Sequence, residues 1–156
     1  MPVKQDTDAN DSDYRFEALE THYSQLADAA VLIDLRSHPR FDSQFPAEAI
    51  SGKGRKTLAT ITNLSRSGLR LEGNRKMLDD LFPGFSRQIG HTPTPLQVDF
   101  SVPDGSNRHL AVKVQCRSAY ILQEKKDTWQ IGMAFTGFDA GEAALTKYLL
   151  RRAETG

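Results

Sequence analysis

At Pro39 the hydrophobic period of this chain changes. Upstream, Phe16, Leu19, Tyr23, Leu26, Ala30 and Ile33 recur at spacings of three and four, which is one stripe of an α-helix. Downstream, apolar and β-branched residues alternate with polar ones in short runs, the pattern of half-buried strands. A period of two cannot present one apolar face on a helix, so the chain beyond Pro39 is expected to be mainly β. The runs cover residues 45–50, 55–62, 68–71, 95–102, 109–122 and 129–135. They are punctuated by Ser51-Gly52-Lys53-Gly54, Gly73-Asn74, Pro103-Asp104-Gly105 and Lys125-Lys126-Asp127. Six antiparallel strands at this spacing argue for a small closed or nearly closed barrel.

Two helical patterns interrupt the strands. One is short, over residues 74–82, and leads into a Pro- and Gly-containing loop over 83–95. The other, over 140–153, sets Leu145, Tyr148, Leu149 and Arg152 at helical spacing, as in a helix that caps the neighbouring sheet. The chain thus divides into a polar, Asp-rich tail expected to be disordered (1–13), an N-terminal helix (14–34), and a barrel domain with its C-terminal helix (35–153). Asp11, Ser12 and Asp13 supply caps and favourable charge at the start of the first helix. Its stripe keeps a/d spacing for nearly three heptads, which admits a homodimer seam through 14–33. Packing on its own domain is the preferred reading, because three heptads is little for a coiled coil.

Charge is unevenly spread. The 156 residues carry 20 Lys and Arg against 20 Asp and Glu, a net charge of zero, which excludes the strongly basic character of a general nucleic-acid binder. Residues 1–34 hold only Lys4 and Arg15 against eight carboxylates, a net −6, so the rest of the chain is +6. An acidic leader is attached to a moderately basic body, for which an anionic ligand is plausible and solvated strand-surface Lys and Arg are the blander account.

Several chemistries are excluded. A lone Cys116, on the apolar face of a run, rules out a disulfide framework or a multi-Cys metal site. His22, His38, His91 and His109 form no H-x-x-x-H or H-E-x-x-H pair, so no metal site is expected. No nucleophile elbow, Walker loop or dinucleotide fingerprint occurs, and Asp79-Asp80 read as a solvated pair, so no catalytic residues and no enzyme activity are expected. No run of 18 apolar residues exists and the N-terminus is acidic, so the expected location is the cytoplasm, without membrane insertion.

Two motifs carry the functional reading. Leu35-Arg36-Ser37-His38-Pro39-Arg40 gives R-x-x-x-R before the first strand, and Asn63-Leu64-Ser65-Arg66-Ser67-Gly68 gives N-x-S-x-x-G at the exit of the second. Each is weak alone. Their order, their separation by about two strands and the barrel pattern around them make the pair specific. With Gln130-Ile131-Gly132-Met133-Ala134-Phe135 on the last strand before a C-terminal helix, residues 35–153 resemble the PilZ domain family of bacterial cyclic di-GMP receptors. The resemblance implies a six-stranded antiparallel β-barrel with a C-terminal α-helix, here with an N-terminal helical extension. It implies cyclic di-GMP as ligand, with no other cofactor. It also implies a ligand set of Arg36, Arg40, Asn63, Ser65 and Gly68. Leu35, Arg66 and Arg70 are candidate secondary contacts, the two arginines as nearby positive charge for which simple solvation is the alternative.

The residue types suit that ligand. Cyclic di-GMP is a dianion with two guanines, and an Arg fork can bond bidentately to phosphate or to the guanine O6/N7 edge, or stack on a base. Asn63 and Ser65, as alternate residues of one strand, are expected on one face, offering acceptors and a hydroxyl. Gly68 is expected to admit the base closely or to supply a positive φ, and a Ser turn ending the strand is compatible with binding. Two departures from the family pattern matter. Asn63 stands where Asp is also common, removing a negative charge but weakening the acceptor. Leu35 stands where many relatives have a further Arg, which implies one nucleotide per site rather than a stacked pair.

The expected output is a conformational change read by an unidentified protein partner, with ligand ordering residues 35–40 and moving the helix 14–33. The alternative is a PilZ-like adaptor that binds no nucleotide. A single-stranded nucleic-acid barrel would want exposed aromatics, for which Trp129 and Tyr120 are thin support, so no DNA partner is expected. The downstream process is not legible in the sequence.

Overall fold

The computed structural model describes residues 39–86 and 91–155. The tail, the helix expected over 14–34 with its dimer seam, and Leu35 and Arg36 lie outside the described residues. Six strands form a closed antiparallel barrel: β1 (Phe41–Ser51), β2 (Lys56–Leu64), β3 (Gly68–Gly73), β4 (Pro95–Pro103), β5 (His109–Lys125) and β6 (Thr128–Ala140). Their order around the barrel is β1-β2-β3-β6-β5-β4, closed by β1 against β4. Two helices complete the described residues, α1 (Arg75–Leu81) and α2 (Glu142–Thr155).

Alternation produces the core. Leu69 and Leu71 on β3, Leu96, Val98, Phe100 and Val102 on β4, Val112, Val114 and Cys116 on β5, and Ile131 and Met133 on β6 all point inward and are buried. Each such side chain contributes about 1.5–3 kcal/mol on burial. Burial pushes the Cys116 thiol well above its ordinary pKa, which keeps it inert. Asn74 caps α1, its side-chain oxygen accepting from Met77 N, and Met77, Leu78 and Leu81 then turn into the core. Leu145, Tyr148 and Leu149 bring α2 onto β4 and β5, and Tyr148 meets Phe45 of β1 edge to face at 5.5 Å.

The strands outrun their sequence-based limits. β1 begins at Phe41 rather than at residue 45, so Arg40 abuts it directly. Three other expectations are corrected. Asp80 is not solvated: it is only 5% exposed and accepts from Lys76 Nζ at 2.7 Å and Arg55 Nη1 at 3.3 Å. Those bonds, Lys76 first, hold its carboxyl below the usual range although burial opposes them. The alternation of Val112, Val114 and Cys116 along residues 109–122 also predicts Leu110 on the apolar face, yet it is 40% exposed near the β4–β5 turn. Trp129 is buried, with Phe85 edge-on at 5.9 Å and the Arg75 guanidinium over its ring at 5.4 Å, so it offers no exposed stacking surface.

His91 anchors the segment that leads into β4. The Ser118 hydroxyl accepts from Thr94 N at 2.8 Å and lies 2.8 Å from His91 Nε2, so one hydroxyl ties both residues to β5. Burial lowers the His91 pKa to about 4, partly offset by a hydrogen bond with the Ser118 backbone. An unfolded His titrates near 6.5, so the unfolded chain takes up the proton first as the solution is acidified. The stability held by His91 is complete above pH ~6.5 and is lost progressively towards pH ~4, by up to about 1.4 kcal/mol per unit. Melting curves of His91→Gln are therefore expected to depend less on pH across that window than those of the wild type. Parallel curves would show that another group governs acid stability.

Candidate functional site

The site grows out of the closing ladder, where β3 pairs with β6 and β6 with β5. Leu69, Leu71, Ile131 and Met133 point inward, so their neighbours form rows on the outer surface. Register places Gly68, Ala134 and Arg117 in one row, Arg70, Gly132 and Tyr120 in the next, and Glu72, Gln130 and Leu122 in the third. The middle row floors a shallow, open hollow lined by Arg40, Asn63, Ser65, Gly68, Leu69, Arg70, Tyr120 and Gly132.

The two motifs meet there. Arg40, immediately before β1, closes one side. Asn63, paired with Asp42 on β1 and Arg70 on β3, closes another. Arg36 and Leu35 are outside the described residues, so the first half of R-x-x-x-R has no placement. Arg66 is exposed at the turn between β2 and β3 and does not line the hollow. Arg70 does line it. Its Nε donates to Thr62 Oγ1 at 3.0 Å, and it makes no other hydrogen bond among the described residues, leaving the terminal nitrogens of its fork available.

Ser65 and Gly68 play a different part from the one expected. The register slips between Ile61 and Asn63, and β2 ends at Leu64, so Ser65 lies beyond the strand rather than on its face with Asn63. Its hydroxyl is 3.2 Å from both Ser67 N and Gly68 N, which donate to it, and 3.3 Å from the Gly68 carbonyl. Ser65 N also donates to Gly68 O at 2.9 Å. The serine ties the turn shut and so fixes where Asn63 and Arg70 stand on either side of it. Gly68 opens β3 and is not one of the positive-φ glycines, which among the described residues are Gly54, Gly84, Gly105 and Gly141.

Leu69, Tyr120 and Gly132 line the hollow although the motif reading gave them no ligand contact, Gly132 entering only as part of the last-strand run. A Cβ at Gly132 would run into the ring of Tyr120, so the absent side chain is what lets the ring lie across the strand. Strict alternation from Val112, Val114 and Cys116 would turn Tyr120 inward. A register shift between Ser118 and Tyr120 inserts Ala119 and brings the ring out to face Gly132. The result is an apolar ring beside arginine nitrogens, suited to a flat anionic ligand that stacks and accepts hydrogen bonds.

Gly132→Ala is expected to cost about 1–3 kcal/mol by overpacking against Tyr120. In a Tyr120→Ala background the same change should cost almost nothing. Denaturant melts of the four proteins would check this, and equal costs in both backgrounds would mean that the ring does not rest on Gly132.

Comparison with known proteins agrees with the architecture. The PilZ domain family model matches residues 34–151. Among solved structures, the Bacillus subtilis inhibitor of motility (MotI/DgrA) superposes with a TM-score of 0.55 at 18% identity, over 77% of this chain and 52% of that one. MrkH of K. pneumonia, described as a c-di-GMP-dependent transcription regulatory factor, gives 0.52 at 14% identity, over 76% and 51%. The chain thus spans about half the length of either protein, and at such identity the likeness is one of fold. No curated protein sequence matches the chain. With a closed six-stranded barrel, a C-terminal helix and a family model matched over residues 34–151, the chain belongs to the PilZ domain family.

Proposed function

We propose that this protein is a cyclic di-GMP receptor that binds the nucleotide in the hollow on the β3–β6–β5 face and passes the event to a protein partner. The observation that carries this reading is convergence. Arg40 from one motif and Asn63, Ser65 and Gly68 from the other line a single hollow with Arg70 and Tyr120, although the motifs stand about two strands apart in sequence. Arg40 and Arg70 would meet phosphate or the guanine O6/N7 edge, and Tyr120 would stack a base. Arg36 would add a second fork from the same segment as Arg40. Leu35, in place of a further Arg, favours one nucleotide per chain.

A route for the output begins at the same place. Phe41 follows Arg40, and the Arg152 guanidinium of α2 lies 5.3 Å from the Phe41 ring while its Nη1 donates to Tyr148 Oη at 2.8 Å. Tyr148 in turn rests on Phe45. A ligand that repositions Arg40 would therefore bear on the seating of α2 as well as on the segment preceding residue 39. Among the described residues no helix is long and apolar enough to cross a membrane.

Isothermal titration with cyclic di-GMP tests the reading. Saturation at one nucleotide per chain is expected, with binding lost or weakened at least tenfold in Arg36→Ala, Arg40→Ala and Tyr120→Ala. At a hundredfold excess over Kd the ligand should add about 2.7 kcal/mol, raising the melting midpoint by roughly 5–10 °C. Saturation at two per chain would refute the role given to Leu35. No binding would favour an adaptor that acts through protein contacts alone.

A further inference from the structure

We propose that Glu72 sets the base specificity of this hollow by accepting hydrogen bonds from the donor edge of a guanine stacked on Tyr120. The proposal rests on the nucleotide reading above and extends it to the third row of the outer face. Glu72, Gln130 and Leu122 lie one pair-step beyond Arg70, Gly132 and Tyr120, roughly 6.8 Å along the strands, within reach of a purine lying on the middle row.

That row presents acceptors. The Gln130 amide nitrogen donates to Glu72 Oε1 at 3.4 Å and to Glu124 Oε1 at 3.1 Å. An amide held by its N–H groups between two carboxylates offers its carbonyl oxygen as a further acceptor. Glu72 makes no other hydrogen bond among the described residues, so its second carboxylate oxygen is available. Arg70, one pair-step from Glu72 on β3, and Arg40 line the same hollow and carry guanidinium donors. Donors adjoining an acceptor match guanine, whose O6 accepts next to the N1–H and 2-amino groups that donate. Adenine would set its N1 lone pair against a carboxylate.

The sign of the effect separates this role from a bystander's. A carboxylate at the edge of a site for a dianion repels the phosphates, so removing an unbonded one strengthens binding. Removing one that bonds guanine weakens it. Wild type and Glu72→Ala are to be titrated with cyclic di-GMP and with cyclic di-IMP, whose bases lack the 2-amino group, and each unliganded protein melted to establish folding. The wild type is expected to prefer cyclic di-GMP by about tenfold or more. In Glu72→Ala, affinity for cyclic di-GMP should fall by a similar factor and the preference should collapse towards one. An unchanged preference, or tighter binding of cyclic di-GMP by the variant, would overturn the role of Glu72 and leave the receptor reading intact. A wild-type chain that binds neither nucleotide would overturn both.

Discussion

Closure of the barrel through the short ladder between β3 and β6 is the constraint on which the rest depends. β3 has six residues, yet together with the β1–β4 ladder it joins strands β1–β3 to strands β4–β6. Every residue from Gly68 to Gly73 pairs with β6, from Ala134 to Trp129. Without that register Leu69 and Leu71 would lose their places in the core, and Arg70 would not stand beside Gly132. The turn before β3 serves the same end. Ser65 closes it from inside, so the strand enters the sheet at Gly68 without freedom to slip.

The site is a consequence of that closure, and its polarity follows from which strands are brought together. β2 and β3 contribute Asn63 and Arg70, while β5 and β6 contribute Tyr120 and Gly132. The hydrogen-bond donors therefore come from one side of the closing ladder and the stacking surface from the other. A ligand lying across the hollow would bridge the two halves of the barrel. The Arg152–Phe41 and Tyr148–Phe45 contacts put α2 against the strand that follows Arg40, so one edge of the hollow and the seat of the helix share one stretch of backbone.

The buried polar groups fall where the backbone needs anchoring rather than where chemistry needs reactivity. Asp80 fastens α1 to Arg55, which ends the turn between β1 and β2, and Ser118 fastens His91 and Thr94 to β5. Each is satisfied by short hydrogen bonds, as burial of a polar group requires.

The sequence alone determined the fold class, because a period of two with six apolar runs and glycine turns has few folded solutions. It also determined most of the hollow: Arg40, Asn63, Ser65, Gly68 and Arg70 were legible as motif residues or their neighbours. What it did not carry were the shifts of register. A single inserted residue reverses every later side chain on a strand. The slip at Thr62 and the end of β2 at Leu64 put Ser65 in the turn at the edge of the hollow rather than on the strand face beside Asn63, and the slip at Ala119 moved Tyr120 out of the core onto Gly132. Only tertiary structure could decide these, since a bulge is placed by what the partner strand presents and not by the local pattern. The same holds for Asp80, whose charge looked solvated until the fold set Arg55 and Lys76 around it.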